Sequence, residues 1–299
     1  MKKGSIAIPL GVALISSFMY GVWNILSYNL VRILPGNILL SLFLMMGFSA
    51  VLSFFYLIAA SKRNRKSMAI EFMKYPMAGG CLFGLGNIIF FSMIRVNVLP
   101  IVAAIVYSNI IIFSFLLIKS KGSHISFRYI LGTVIAVLGL AIIELLNAGK
   151  IVIDLLLIEQ SILLVILYGF GSYFIYKSSL SKEKAGNSIF MIFLAETAVI
   201  GAIALVFNGF RGLTDISGIY AFEVIITGAV LTLAVVLEFK SFYIIGQYRA
   251  KFINIINIFL NFETIWVLVF SVIFLSVSSF GIIVGVVIAS FGIWIVSVS

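Results

Sequence analysis

Three glutamates lie well away from the ends of long apolar stretches of the sequence: Glu196, Glu238 and Glu263. An ionised carboxylate is costly inside a hydrocarbon layer, so such groups are rare there and mark ion paths, counter-charges or interhelical bonds. Each glutamate is therefore a candidate for proton coupling or for answering a cationic substrate. The other reading is a protonated side chain that locks two helices together. Glu196 has no partner on its own stretch. Glu238 is followed by Lys240, but two residues amount to about 200° around a helix, so the pair do not face each other. Lys240 is expected to carry its charge outward along its own apolar stem. Glu263 lies near the middle of its stretch, and Glu263→Gln is the change that keeps size and hydrogen bonding while removing titration.

Polar residues without a formal charge form a second set. Asn254, Asn257, Asn261, Thr264 and Ser271 fall within about 100° of arc at helical periodicity. A stripe of amides four turns long is costly against lipid and must face protein or water. Its length favours a water-filled cavity. Ser16, Tyr20, Trp23, Asn24 and Ser27 make a similar stripe near the amino terminus, echoed by Ser161, Tyr168 and Ser172. Asn87 follows glycines 79, 80, 84 and 86, while Tyr107, Ser108 and Asn109 stand together at mid-stretch. Two roles stay open for all of these: lining a substrate cavity, or bonding one helix to another.

Several chemistries are excluded by what is missing. His124 is the single histidine and Cys81 the single cysteine, so neither a histidine metal cluster nor a Ser-His-Asp triad can be assembled. The sequence has no GxxxxGK[ST] phosphate loop. Without clustered acid and base groups an enzyme is the weak reading. The expectation is a non-enzyme with no cofactor and no metal.

The elements that hold these residues follow from composition. Hydrophobic residues make up 63% of the chain and charged ones 10%, well outside the range of soluble domains. With about 20 apolar residues needed per membrane helix, ten segments emerge, near 6–28, 37–60, 74–95, 99–118, 128–147, 156–176, 187–208, 220–245, 252–274 and 279–298. The first is expected to be a retained helix rather than a signal peptide. The second, almost wholly apolar, is expected to face lipid.

The net charge of +10 is explained by placement. Fifteen Lys and Arg fall in the amino terminus and alternate loops, against four on the other side. That asymmetry predicts a multi-pass protein of the cell membrane with both termini cytoplasmic. Contacts with membrane lipids, not nucleic acid, account for the basic cluster 62–66.

A duplication is also legible. Residues 132–143, GTVIAVLGLAII, recur as 285–296, GVVIASFGIWIV, an offset of 285 − 132 = 153. Tyr20-Gly21 with Tyr28 recurs as Tyr168-Gly169 with Tyr176, and Gly79, Leu82, Phe90 and Ser92 recur as Gly228, Leu231, Phe239 and Ser241. Repeats in the same order at nearly one spacing imply a duplicated unit. The fold class expected is all-α integral membrane: ten transmembrane helices in two five-helix repeats, 1–150 and 151–299. An odd helix number inverts the second repeat, the usual architecture of alternating-access transporters.

Ten helices in two halves, each closing on a Gly-x6-Gly helix, resemble the drug/metabolite transporter superfamily, specifically its EamA-type members. The similarity covers essentially the whole chain. Where that family often has Glu-Pro in the ninth helix this sequence has Glu263-Thr264, and near the later Gly-Glu it has Ser276-Val277. The resemblance implies that helices 1, 3, 4, 6, 8 and 9 surround a central cavity, with helices 5 and 10 behind. The implied function is a secondary-active transporter or exporter of a small metabolite (an amino acid, or an amphipathic or drug-like molecule), with a proton or another ion as coupling partner. A lipid or lipid-linked sugar flippase is the alternative, and a membrane-embedded enzyme a more distant one. Substrate-binding candidates are Tyr20, Trp23, Asn24, Asn87, Tyr107, Asn109, Tyr168, Ser172, Asn257, Asn261 and Thr264. Coupling candidates are Glu263, Glu238 and Glu196.

Overall fold

The computed structural model describes residues 7–33, 37–61, 73–97, 99–120, 122–147, 155–179, 185–207, 210, 216–248, 259–260, 262–275 and 280–298. These residues form eleven helices and no strand. In chain order they are α1 (Ala7–Ile33), α2 (Ile38–Ser61), α3 (Lys74–Val96), α4 (Leu99–Tyr107), α5 (Asn109–Ser120) and α6 (Phe127–Asn147). The second half adds α7 (Leu155–Ser179), α8 (Ala185–Val206), α9 (Gly218–Tyr248), α10 (Phe262–Leu275) and α11 (Phe280–Ser297).

Each helix coincides with an apolar segment of the sequence, and eight segments are long and apolar enough to cross a membrane. The stretches Phe127–Ile142 and Phe262–Leu275 are apolar but shorter. This is the architecture of a multi-pass membrane protein. Its outer surface agrees: Phe54, Phe55, Val134, Leu138, Phe222 and Phe291 are exposed, as suits a surface that meets lipid.

The helix ends are set by local chemistry. Asn37 caps α2, its Oδ1 accepting the Leu40 amide at 3.1 Å. Ser126 and Ser217 do the same for α6 and α9, at 3.1 and 3.2 Å. Side-chain caps of this kind satisfy amides that have no intrahelical partner. Gly122, at φ 66°, closes α5. Its amide reaches Lys119 O and the Ser123 amide reaches Ile118 O, the paired bonds of a left-handed glycine terminus.

The fourth apolar segment departs from expectation. It is not one helix but two, interrupted at Ser108 between α4 and α5. The Ser108 amide is shared between Ala104 O and Ile105 O, and its hydroxyl donates to Ala104 O at 3.1 Å. Serine hydroxyls that bond back one turn compete with the helical pattern and bend it. Expectation also fails in part for α2. Its face bearing Phe54 and Phe55 is exposed, but Ser49 donates to Gly228 O of α9 at 3.0 Å, and Ser41 accepts the Tyr220 hydroxyl at 2.9 Å. Hydroxyls on the opposite face tie α2 to α9, so only one side meets lipid.

Packing is dominated by pairs drawn from opposite halves of the chain. α1 lies along α9 and α10; α7 lies along α3 and α5; α3 also meets α8, as α9 meets α2; α2 meets α8; α6 runs along α11. The α6–α11 seam is the closest. A Cβ built on Gly139 would stand 2.8 Å from Ala289 Cβ, and one built on Gly292 would stand 2.7 Å from Ala136 Cα. These are the positions that recur at the offset of 153, so each copy of the motif presents its glycine to the other's alanine. Small residues allow such backbone contact, which is how helices associate where no hydrophobic force separates them from lipid.

Gly139→Val places two methyl groups where one carbon already clashes, and overpacking of this kind costs about 1–3 kcal/mol. Thermal unfolding of the detergent-solubilised protein should shift down accordingly. Val134→Ala, on the exposed face of the same helix, should stay within about 0.5 kcal/mol of the parent. Equal responses from the two variants would mean that the seam carries no packing energy.

Candidate functional site

Six spans converge on a cavity of about 120 Å³. α1 contributes Tyr20, Trp23 and Asn24; α3 contributes Phe83 and Phe90; α4 and α5 contribute Val106, Tyr107, Asn109, Ile110 and Phe113. The opposite half supplies Tyr168 and Ser172 of α7, Glu238 and Phe242 of α9, Leu260, and Glu263 of α10. At roughly 10–15 Å³ per water position the space admits several waters or a small organic group. These are the spans that the resemblance assigns to a cavity wall, while α6 and α11 pair behind it.

The polar side chains are tied together by α1. The Tyr20 hydroxyl donates to Glu238 Oε2 at 2.5 Å, and Asn24 Nδ2 donates to Glu263 Oε1 at 2.6 Å. Asn24 Nδ2 also reaches Tyr20 O at 2.9 Å, so both of its protons are placed. Positions 20 and 24 are one helical turn apart on one face, which lets a single stripe of α1 hold a carboxylate from each of two helices. One turn earlier, Ser16 donates to Ala234 O of α9 at 2.8 Å. The stripe thus combines the two roles left open by the sequence, joining helices and facing the cavity.

The opposite wall is held by an amide. The Tyr168 hydroxyl donates to Asn87 Oδ1 at 2.5 Å, and the Tyr168 ring meets Phe83 edge-on with centroids 4.8 Å apart. Gly86 leaves room for that ring, since a Cβ there would stand 2.6 Å from Tyr168 Cδ2. Trp23 stacks on Phe90 at 5.6 Å with the planes 19° apart. Its indole Nε1 is buried and has no hydrogen-bond partner.

The candidate residues divide as follows. Tyr20, Trp23, Asn24, Tyr107, Asn109, Tyr168, Ser172, Glu238 and Glu263 all line the cavity. Asn87 is buried behind the wall and positions Tyr168 instead. Thr264 is buried beside Glu263 but is not part of the lining. Glu196 of α8 is buried against Gly84 of α3 and is not part of the lining, with Oε2 lacking a partner among the described residues. Asn254, Asn257 and Asn261 lie outside the described residues. Lys240 is exposed, on the side of α9 away from Glu238.

Sequence reasoning missed the apolar part of the wall: Phe83, Phe90, Val106, Ile110, Phe113, Phe242 and Leu260. A signal existed in the spacing. Phe113 is four residues after Asn109, Phe242 four after Glu238, and Phe83 four before Asn87. Each shares a helical face with a polar residue already singled out.

No protein-family model matches the chain, and no curated protein does. A solved crystal structure shares the architecture: it superposes with a TM-score of 0.58 at 12% identity, over 94% of this chain and 97% of the other. The likeness runs end to end and concerns the fold alone.

The Tyr168–Asn87 bond yields a double-mutant test. Tyr168→Phe leaves the Asn87 carbonyl oxygen buried without a donor, at about 1–3 kcal/mol. Combining it with Asn87→Leu removes both partners, and stability should recover in part, because no polar group is left stranded. Strict additivity of the two losses in thermal unfolding would show that the bond carries no coupling energy.

Proposed function

We propose that this chain is a secondary-active transporter of a small metabolite that works by alternating access, an EamA-type member of the drug/metabolite transporter superfamily. The observation that carries the reading is the cavity itself. Two carboxylates, an amide pair and several aromatic rings, drawn from both halves of the chain, meet in one space inside a membrane protein. Polar groups are retained in membrane interiors where they serve a substrate or ion path.

In this reading the chain forms ten spans in two inverted five-helix repeats, residues 1–150 and 151–299. Both termini are cytoplasmic in the cell membrane. Support comes from how the packing pairs exchange. Replacing each helix by its counterpart turns the α1–α9 contact into α7–α3, α1–α10 into α7–α5, and α3–α8 into α9–α2. The reciprocal Gly139–Ala289 and Gly292–Ala136 contacts obey the same rule. Transporters built from inverted repeats bind substrate at the repeat interface, and a cavity lined by residues of both halves supports that reading.

Transport then needs no covalent chemistry. Glu238 and Glu263 exchange a proton or another cation against the substrate, while Tyr20 and Asn24 keep the carboxylates in place. Asn257, Asn261 and Thr264 of the ninth apolar segment remain substrate-binding candidates.

Reconstitution into vesicles tests the reading: metabolite profiling should find at least one small molecule that accumulates only with the protein, with and without a pH gradient compared. Glu263→Gln should lose gradient-driven accumulation while retaining exchange between equal pools. Undiminished accumulation across the neutral pH range would remove Glu263 from coupling and transfer the role to Glu238 or Glu196. Orientation has its own test. In a Cys81→Ser background, Asn64→Cys and Gly212→Cys should label from opposite faces of the membrane, and labelling from one face would refute the inverted arrangement.

A further inference from the structure

We infer that the groove between α3 and α7, at the end of the bundle where α3 begins and α7 finishes, holds the phosphate headgroup of an anionic phospholipid. The inference stands apart from the transport reading and needs only that the chain spans a membrane.

Two lysines flank that groove. Lys74 opens α3, and Lys177 lies in the last turn of α7. The helices are close there: a Cβ built on Gly79 would stand 3.2 Å from Ile175 Cγ1 and 3.5 Å from Phe174 Cβ. Tyr75 and Phe174 bridge the pair, their rings stacked at 6.1 Å with the planes 30° apart, and Phe174 meets Tyr173 at 6.0 Å. Lys74 Nζ stands 5.3 Å from the Tyr75 ring centroid, and Lys177 Nζ 5.3 Å from that of Tyr173. A row of three rings thus joins α3 to α7 and carries an ammonium group at each end.

Those charges are held in place without being neutralised. A ring face attracts an exposed cation only weakly, and it leaves the N–H donors open. Among the described residues no carboxylate pairs with either lysine, and no hydrogen bond engages the Tyr75 or Tyr173 hydroxyl. In sequence, segments 62–73 and 178–184, which adjoin the two lysines, hold six Lys and Arg against two Glu. Two point charges and two hydroxyl donors suit the oxygens of a phosphate diester.

A lipid is favoured over a soluble anion by the surface that continues from the row. Lys74, Met77 and Leu85 share one face of α3, and Lys177, Tyr173, Phe170 and Ile166 share one face of α7. Met77, Leu85, Phe170 and Ile166 are exposed, so an apolar strip for acyl chains runs from each lysine toward the membrane interior. Tyrosines beside the lysines stand where amphipathic rings collect, at headgroup level. In the orientation proposed above this end is cytoplasmic, and anionic lipids of that leaflet attract basic segments.

Phosphatidylglycerol and phosphatidylcholine with the same acyl chains are the probes, added to the purified full chain in detergent. Native mass spectrometry should find phosphatidylglycerol retained at least about tenfold more, as expected for two lysines at a headgroup. Because the headgroup ties α3 to α7, the same lipid should raise the melting temperature. Lys74→Gln combined with Lys177→Gln should abolish the preference. Lys74→Arg combined with Lys177→Arg keeps both charges and should preserve it. Equal retention of the two lipids by the unmodified protein would overturn the inference, and that comparison needs no variant to fold. An undiminished preference in the glutamine pair would also overturn it, assigning lipid contact to the basic segment 62–66 instead. So would loss of the preference in the arginine pair, because charge would then not be what the groove reads. Inorganic phosphate is the third probe. Stabilisation by it equal to that from phosphatidylglycerol would make the ligand a free anion and refute a lipid site.

Discussion

A polar group surrounded by hydrocarbon must find a partner inside the protein, and the rest of this molecule is arranged around that requirement. Glu238 and Glu263 belong to two different helices, and both are met by α1, through Tyr20 and Asn24 one turn apart. Interhelical hydrogen bonds in membranes contribute modestly, about 0.6–2 kcal/mol each. Their effect on geometry is larger. Two bonds from one face fix the rotation of α1 about its own axis. That rotation sets Trp23 against Phe90 and turns Phe18 outward, where its ring meets Trp266 and Phe270 edge-on at 5.4 and 5.5 Å.

Side-chain size is distributed to match. Where helices touch, glycine and alanine bring backbones together, as between α6 and α11. Where helices stand apart, large rings fill most of the gap and leave a small polar space. Phe91, Phe193, Phe239 and Tyr220 are almost fully buried between helices, so the interior away from the cavity is closed by packing. The cavity is thus a local exception, bounded by acids and rings together.

Much of this was legible from residue types. Apolar segment lengths placed most helices within about five residues, because hydrocarbon thickness leaves little freedom in length; the start of the ninth segment lies outside the described residues. Nine of the singled-out polar and charged residues line one space, because a membrane interior retains few polar groups without need. Other features were not legible. The role of Asn87 depends on Tyr168, 81 residues away in sequence, and helical periodicity on α3 cannot tell a wall from its support. The break at Ser108 is hidden in a continuous apolar run, since serine is tolerated in membrane helices with or without bending them. The aromatic wall was masked by abundance: with 28 phenylalanines in the chain, only neighbours in space distinguish Phe242 from Phe222. Composition misjudged α2 for a related reason, because the serines that tie it to α9 are sparse and small.

The seam between α6 and α11 has a mechanical consequence. Sliding one helix along the other would drive an alanine methyl into a facing backbone within a single residue's rise, and no long side chain is present there to yield. Rolling about the row of small residues drives no side chain into a facing backbone in the same way. In the alternating-access cycle proposed above the seam would be the fulcrum, the distance from Gly139 to Ala289 staying fixed while distances across Glu238 and Glu263 change.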